Sequence, residues 1–499
     1  MDLAEQSTHE PRTTPWILLA ISALLGCYIL RPIEDPDLWW HIVVGRWILY
    51  SRTLPTQDLW NCFSGNSMWH AYSWLFEISV AIAELAGGIQ GLLLLKTLLA
   101  ISLALAAVKI FVSVSQDKIT GMIIAALCTA AMVNHFALRP QCFSWVLFIL
   151  LTGISELHRS QRLPRHFFYI YTFVLGSLWA NTNITSAIGL AALVPWGIRP
   201  LLLFFAGTLA TPHLGLEWMT FANKATHPIR FLSIREFQPA NFYDPAAGIC
   251  LILLVLYYLI CHLYPRQRPV LFLAAPGILF IAGMTFSKFL PFAVIYSALL
   301  LARELGELNE KEKNESDLLF GLELLKERLL TLPEGSIAVG VFLSLLLCFV
   351  FSYPVFKHPT NNNITPVAAY NFIEKERLPE PLAHTFQDGG YVMFRRSSRQ
   401  GEIKSCVAID GRTNVTPPEV FDMHQESFDG TRNWSTFIEK AQAETILWPN
   451  SSPLPTILQL SNQWRSVYDD STNAQPRRGY SIFVTRDYYE SQAQRFEFP

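Results

Sequence analysis

Glu34-Asp35-Pro36-Asp37-Leu38-Trp39-Trp40-His41 sets two carboxylates on either side of a single proline, beside a histidine and two tryptophans. It follows directly on an apolar run from Trp16 to Leu30. Ionisable side chains are costly in lipid, so such a cluster needs water, a protein cavity or a chemical task. Tryptophan prefers the headgroup layer and would hold the cluster at that depth. A carboxylate suits one task well: taking the proton from a hydroxyl, which is a poor nucleophile until it is deprotonated. A phosphate leaving group asks for the opposite charge, from Arg, Lys, His or a divalent metal. Asp35 and Asp37 are therefore the candidate catalytic residues. The candidate substrate-binding residues are His41, Asp58, His70, Glu77, Arg139, Asn181, Glu236 and Lys288. Plainer readings stand beside these. Asp35 and Asp37 would cap a helix starting near Leu38, Arg139 would snorkel to headgroups, and the histidines would bond backbone carbonyls.

The elements that position these residues follow from composition. Of 499 residues, 51% are hydrophobic and 16% charged. The apolar residues gather in runs of roughly 17–22, long enough to cross a bilayer as helices. Runs at 15–31, 90–112, 120–137, 141–157, 167–182, 184–198, 200–211, 245–264, 269–286, 289–302 and 336–353 predict a polytopic bundle of about eleven spans. Met1 to Pro15 is too polar for a signal peptide, so the first run reads as a retained anchor. The net charge of -2 gives no basic surface for nucleic acid. Six of the 8 cysteines lie inside apolar runs and read as small membrane-core residues. Cys62 and Cys406 alone lie in polar segments, where a disulfide between them is one option.

Loop charges set the orientation. Lys109 with Lys118, the basic stretch from His158 to His166, Arg266 with Arg268, and Arg303 through Arg328 all mark one side as cytoplasmic. They fall together if 32–88 is a single external segment in which Trp74 to Leu85 lies along the membrane. The candidate site residues then collect on the external face. Segment 303–335 alternates charge with Leu and Phe at helical spacing, as an amphipathic helix on the cytoplasmic surface would. Residues 1–353 thus read as a transmembrane domain. From 354 to 499 the chain turns polar, with Asn361-Asn362-Asn363 as a linker. Cys406–Ile409, Thr445–Leu447 and Tyr480–Val484 look like strands, and Trp434–Ala441 and Leu454–Trp464 like helices, which predicts a soluble, external α/β domain.

The spacing Asp-Pro-Asp-x-Trp-Trp-His, then Gly45, Pro55, Asp58, Trp69-His70 and Trp74-Leu75-Phe76-Glu77 resembles the first external loop of the C-type (GT-C) membrane glycosyltransferases. That superfamily includes protein O-mannosyltransferases and lipid A aminoarabinose transferases. The nearest resemblance is to a bacterial multi-span group carrying this loop. It extends to Arg139-Pro140, Trp179-Ala180-Asn181-Thr182-Asn183, Pro212-His213-Leu214-Gly215, Ile234-Arg235-Glu236-Phe237, Ser287-Lys288 and Ala408-Ile409-Asp410-Gly411-Arg412. The resemblance implies an inverting transferase in the plasma membrane with a polyprenyl-phosphate sugar as donor. An acidic residue of the first loop would serve as base or bind a divalent cation, Mg or Mn. Arg139 and Lys288 would neutralise the lipid phosphate, and a glycan, lipid or protein of the cell envelope would be the acceptor.

The chain departs from that group at two places. Asn183 stands where relatives carry histidine, which removes an acid, base or ligand. Lys288 stands for arginine and cannot grip phosphate bidentately. Two other classes follow from the same residues: a non-catalytic envelope scaffold of the same fold, supported by these departures, and a lipid or solute transporter. The transporter predicts internal repeats and charges within the spans, and the sequence shows no repeat and few such charges.

Overall fold

Apolar runs with no polar partner for the backbone must satisfy their amides internally, and helices do so. The computed structural model describes residues 14–65, 67–226, 237–308, 334–361, 364–471 and 479–492. Its 19 described helices and one four-stranded sheet fall into two compact units, residues 1–31 with 94–357, and 32–93 with 358–499.

The first unit is helical. It holds α1 (Thr14–Tyr28), α4 (Lys118–Ala131), α5 (Pro140–Arg159), α6 (Arg165–Thr182), α7 (Ser186–Leu193), α8 (Ile198–Thr208), α9 (Leu216–Thr226), α10 (Pro245–Leu263), α11 (Val270–Thr285), α12 (Leu290–Gly306) and α13 (Glu334–Lys357), together with the later part of α3 (Trp74–Ser115). Helix α12 is the hub. Every residue from Leu290 to Glu304 is buried, and α4, α5, α10 and α11 pack around it. A helix that is apolar on all sides belongs in an interior or in lipid. α13 takes the second course, leaving Val339, Phe342, Leu345, Phe349 and Val350 exposed. Helix starts follow local chemistry: Asp117 accepts the Thr120 amide at 2.6 Å, and Asp244 the Ala246 amide at 3.1 Å ahead of Pro245. At the far end of α12, Arg268 grips Glu304 Oε2 at 2.9 and 2.7 Å and Arg303 takes Oε1 at 2.7 Å, so a buried carboxylate is matched by two guanidiniums.

Among the described residues, five helices are long and apolar enough to cross a membrane: Trp74–Ser115, Pro140–Arg159, Pro245–Leu263, Ser287–Gly306 and Ala338–Lys357. This is a helical membrane protein. The expected count of about eleven spans is not met, because the helices on the other apolar runs are too short or too polar. α1, α4, α8 and α11 have only 15, 14, 11 and 16 residues. Beyond Leu308 and before Glu334 the expected amphipathic segment 303–335 lies outside the described residues, as do residues 362 and 363 of the Asn361–Asn363 linker.

The second unit joins sequence ends that the sequence reading assigned to separate domains. It contains α2 (Leu38–Ser51), the start of α3, α14 (Val367–Glu376), β1 (Leu382–His384), α15 (Gly389–Arg396), α16 (Pro418–Asp429), α17 (Thr436–Lys440), β2 (Thr445–Pro449), α18 (Leu454–Leu460), β3 (Trp464–Asp469), β4 (Tyr480–Thr485) and α19 (Arg486–Ser491). The sheet order is β1-β2-β4-β3. β1 runs parallel to β2, with Ala383 opposite Ile446, and the other pairs are antiparallel, with Ile446 opposite Phe483. Those three residues, Trp448, Leu454 and Leu458 build its core. The boundary drawn at 353/354 leaves 32–88 with the membrane domain, whereas the contacts place 32–93 with residues 358–499. The expected external loop is also largely helical, with α2 starting at Leu38 and α3 at Trp74. Helix α3 is interrupted at Gly87 and Gly88, the latter at φ +56° where glycine is favoured. Cys406–Ile409 is no strand: Val407 makes one isolated bridge, to Asn61.

Candidate functional site

Pro36 and the turn before it bring the two carboxylates to the entrance of α2 in different roles. Asp35 is buried, and its Oδ1 accepts the Asp37 amide at 2.8 Å. Asp37 occupies the N-cap position but makes no side-chain cap. Its Oδ1 instead accepts the Trp40 indole N–H at 3.2 Å, and the residue stays half-buried. Asp37 thus stands at the helix entrance without the side-chain cap that the plainer reading expects, and Asp35 bonds the Asp37 amide.

Residues from the far end of the chain complete this surroundings. Gly411 lies so close that a β-carbon there would collide with Asp37 Oδ1, and a β-carbon at Gly390 would lie 2.7 Å from the Pro36 carbonyl. On either side of Gly411, Asp410 and Arg412 are fully buried. Arg412 donates to both Asp410 oxygens at 2.8 Å, and its Nη1 pairs with Asp58. Asp58 Oδ2 accepts the Asn61 amide at 2.9 Å, so both oxygens of this expected substrate ligand are engaged within the unit. Burial pushes the Asp410 carboxyl upward, and the Arg412 guanidinium more than reverses this, holding it below the usual carboxylate range. The guanidinium also lies against the faces of Trp69 and Trp60, 5.0 and 5.2 Å from the ring centroids. Cys62 and Cys406 are joined as a disulfide, and Cys62 N–H bonds the Val407 carbonyl at 2.9 Å.

His41 and Glu77, both expected to bind substrate, face each other. His41 Nδ1 is 3.2 Å from Glu77 Oε1, both side chains are buried, and the imidazole lies over Trp40 with ring centroids 3.5 Å apart. His70 is half-buried, and its carbonyl accepts the Tyr72 amide at 2.9 Å.

The remaining candidates belong to the helical unit. Arg139 is the N-cap residue of α5, ahead of Pro140. Lys288 sits in the turn Ser287–Phe289 with Nζ 3.4 Å from the centroid of the Phe237 ring. Asn181 donates to the Ser177 and Ala210 carbonyls at 2.8 and 2.9 Å, bracing α6 against the end of α8. Asn183 accepts the Thr185 amide at 2.8 Å and turns the chain into α7. Glu236 lies outside the described residues.

Sequence reasoning passed over three residues. Trp40 was read only as an interfacial anchor, and Arg412 only as the end of a motif. Lys96 lay unnoticed inside an apolar run. It is buried and donates to the Arg31 carbonyl at 2.8 Å. A lysine with apolar neighbours on both sides deep within a span is the signal that finds such a residue. Among the described residues no three His, Cys, Asp or Glu side chains gather as a metal site, and no ligands are assigned to a divalent cation.

No protein-family model matches the sequence. A search of curated proteins likewise finds no match.

Proposed function

We propose that this membrane protein is a glycosyltransferase of the GT-C kind, with Asp37 as general base. The observation that carries the reading is the carboxylate at the entrance of α2. Asp35 is buried and spends one oxygen on the Asp37 backbone, while Asp37 stays half-buried with its carboxylate turned to an indole N–H rather than to the helix end. Asp35 is then the residue that shapes the turn. In the reaction, Asp37 takes the proton of an acceptor hydroxyl as that oxygen bonds the anomeric carbon of the donor sugar. The bond from that carbon to the phosphate oxygen breaks, and its electron pair leaves with polyprenyl phosphate. One displacement inverts the anomeric centre.

The Cys62–Cys406 disulfide supports an external position for the unit that carries Asp37, since such bonds persist in oxidising compartments. The reading accordingly places the protein in the plasma membrane, with its N-terminus cytoplasmic, a glycan, lipid or protein of the envelope as acceptor, and no nucleic-acid partner. A non-catalytic scaffold is favoured by one observation: Asn183, at a position where the resemblance expects histidine, serves a turn. Removing the protein from its cell separates the two. Transfer predicts loss of one envelope glycan with accumulation of a polyprenyl-phosphate sugar. A scaffold predicts loss of assembly without donor accumulation, and that result overturns the transferase reading.

A further inference from the structure

Two neighbours bear on Asp37 Oδ1 within this unit, and Trp40 supplies a hydrogen-bond donor to it. Its Nε1–H lies 3.2 Å from Oδ1, while Gly411 leaves space behind the same oxygen that a side chain would fill. The indole is itself fixed. It lies on the His41 ring, tilted by 30°, and meets the Trp69 ring edge-on at 6.3 Å. His41 is held in turn by the fully buried Glu77.

We propose that Trp40 is a positioning residue for the transfer. Its N–H aims the Asp37 carboxylate and favours the ionised form that accepts a proton. The inference rests on the proposed role of Asp37 as base. A hydrogen bond to the charged form of an acid stabilises that form, and bonds to ionised groups are the stronger kind. His41 and Glu77 act through the indole: they hold the plane of the ring, and the ring holds the carboxylate. The titratable neighbours within this unit are Asp35, His41 and Glu77 on the first segment, with Asp410 and Arg412 flanking Gly411. Trp40→Phe leaves all five in place, retains a ring against His41 and removes the N–H. A merely structural tryptophan would not tune the protonation of its neighbour.

The test uses the purified full-length protein in detergent micelles and needs no substrate. Dicyclohexylcarbodiimide labels protonated carboxyl groups, and mass spectrometry of the Asp37 peptide follows labelling across a pH series. In Trp40→Phe, labelling of Asp37 persists to higher pH by about one unit, the scale of one hydrogen bond to a charged group. Gly411→Ala reaches the same end from the other side, because its methyl group drives the carboxylate off the indole, and it carries the test if the first variant does not fold. An intact Cys62–Cys406 bond and a single elution peak mark a folded variant. An unchanged midpoint in a folded variant overturns the inference. The transferase reading fails separately, through an envelope glycan that does not respond to Asp37→Asn.

Discussion

Asp58 and Arg412 stand 354 positions apart in the sequence and form an ion pair whose side chains are 0% and 1% exposed. Arg412 also clasps Asp410, so one buried guanidinium serves two buried carboxylates and fastens the segment around Trp60 to the Ile409–Arg412 turn. The same turn carries Gly411, which backs the Asp37 carboxylate. An interaction with no reactive role thus fixes the groups to which we assign the chemistry.

Arg412→Met leaves both carboxylates buried and unpaired, and removing one partner from such a network costs about 3–5 kcal/mol. Thermal unfolding of the solubilised protein, followed by tryptophan fluorescence, will show the second unit melting at lower temperature. Arg412→Lys recovers little, because an ammonium cannot make the paired contact to Asp410. A melting temperature unchanged in Arg412→Met would remove the pair from the account.

Gly411→Ala is predicted to abolish transfer while the protein still accumulates in the membrane, since the added methyl group meets the Asp37 carboxylate first and the Trp40 Nε1 next. Envelope glycan per unit of protein in membranes carrying this variant is the measurement. Wild-type glycan would mean that the Asp37 carboxylate has freedom the geometry denies it.

Two buried histidines and a buried carboxyl of the second unit should respond to acid with opposite signs. Burial pushes His384 down to about 4 and His424 to about 3 from an ordinary 6.5, so unfolded chains take up protons there that the folded unit refuses. Their contribution is complete above pH 6.5 and drains away as pH falls toward 4. Asp388 works the other way: burial raises it to about 7 from 3.8, so the folded unit keeps a proton the unfolded chain has lost. Acidification between those limits thus acts on the two histidines and on Asp388 in opposite directions. Asp388→Asn removes the opposing contribution, and unfolding measured from pH 7 to pH 4 should then show a steeper decline than in the wild type. A shallower one would reverse the assignment.

Reduction provides a further check. The disulfide spans 344 residues of chain, and loss of such a cross-link typically costs about 2–4 kcal/mol. Cys62→Ser with Cys406→Ser should lower the melting temperature, and reductant should do the same to the wild type but not to the double variant. Thiol alkylation of intact cells before and after reduction reports whether the bond forms in place. Two free thiols in freshly exported protein would argue against an oxidising surrounding.

Much of this was legible in the sequence, and the limits are physical. Asp-Pro-Asp before an apolar run announces a helix entrance, and α2 begins at Leu38 as that pattern predicts. β2 and β4 fall on Thr445–Leu447 and Tyr480–Val484 because their apolar runs are continuous. β1 has three residues and β3 mixes polar with apolar ones, so neither shows a period. Cys406–Ile409 has strand composition but finds a partner in Asn61 alone, a pairing set by chain segments too distant for any local pattern. The Cys62–Cys406 disulfide was the one legible link between the first segment and the C-terminal unit, because these two cysteines alone lie in polar segments, whereas the Asp58–Arg412 pair leaves no trace in spacing. The span count failed because hydropathy locates a helix without fixing its length.

The central claim is that Asp37, and not Asp35, takes the acceptor proton. The direct measurement compares envelope glycan in cells producing equal amounts of wild type, Asp37→Asn and Asp35→Asn, with donor lipid quantified in the same membranes. We predict that Asp37→Asn loses the glycan and accumulates polyprenyl-phosphate sugar at normal protein levels. Asp35→Asn, which can still accept the Asp37 amide, should retain part of the transfer. Undiminished glycan in Asp37→Asn would contradict the account.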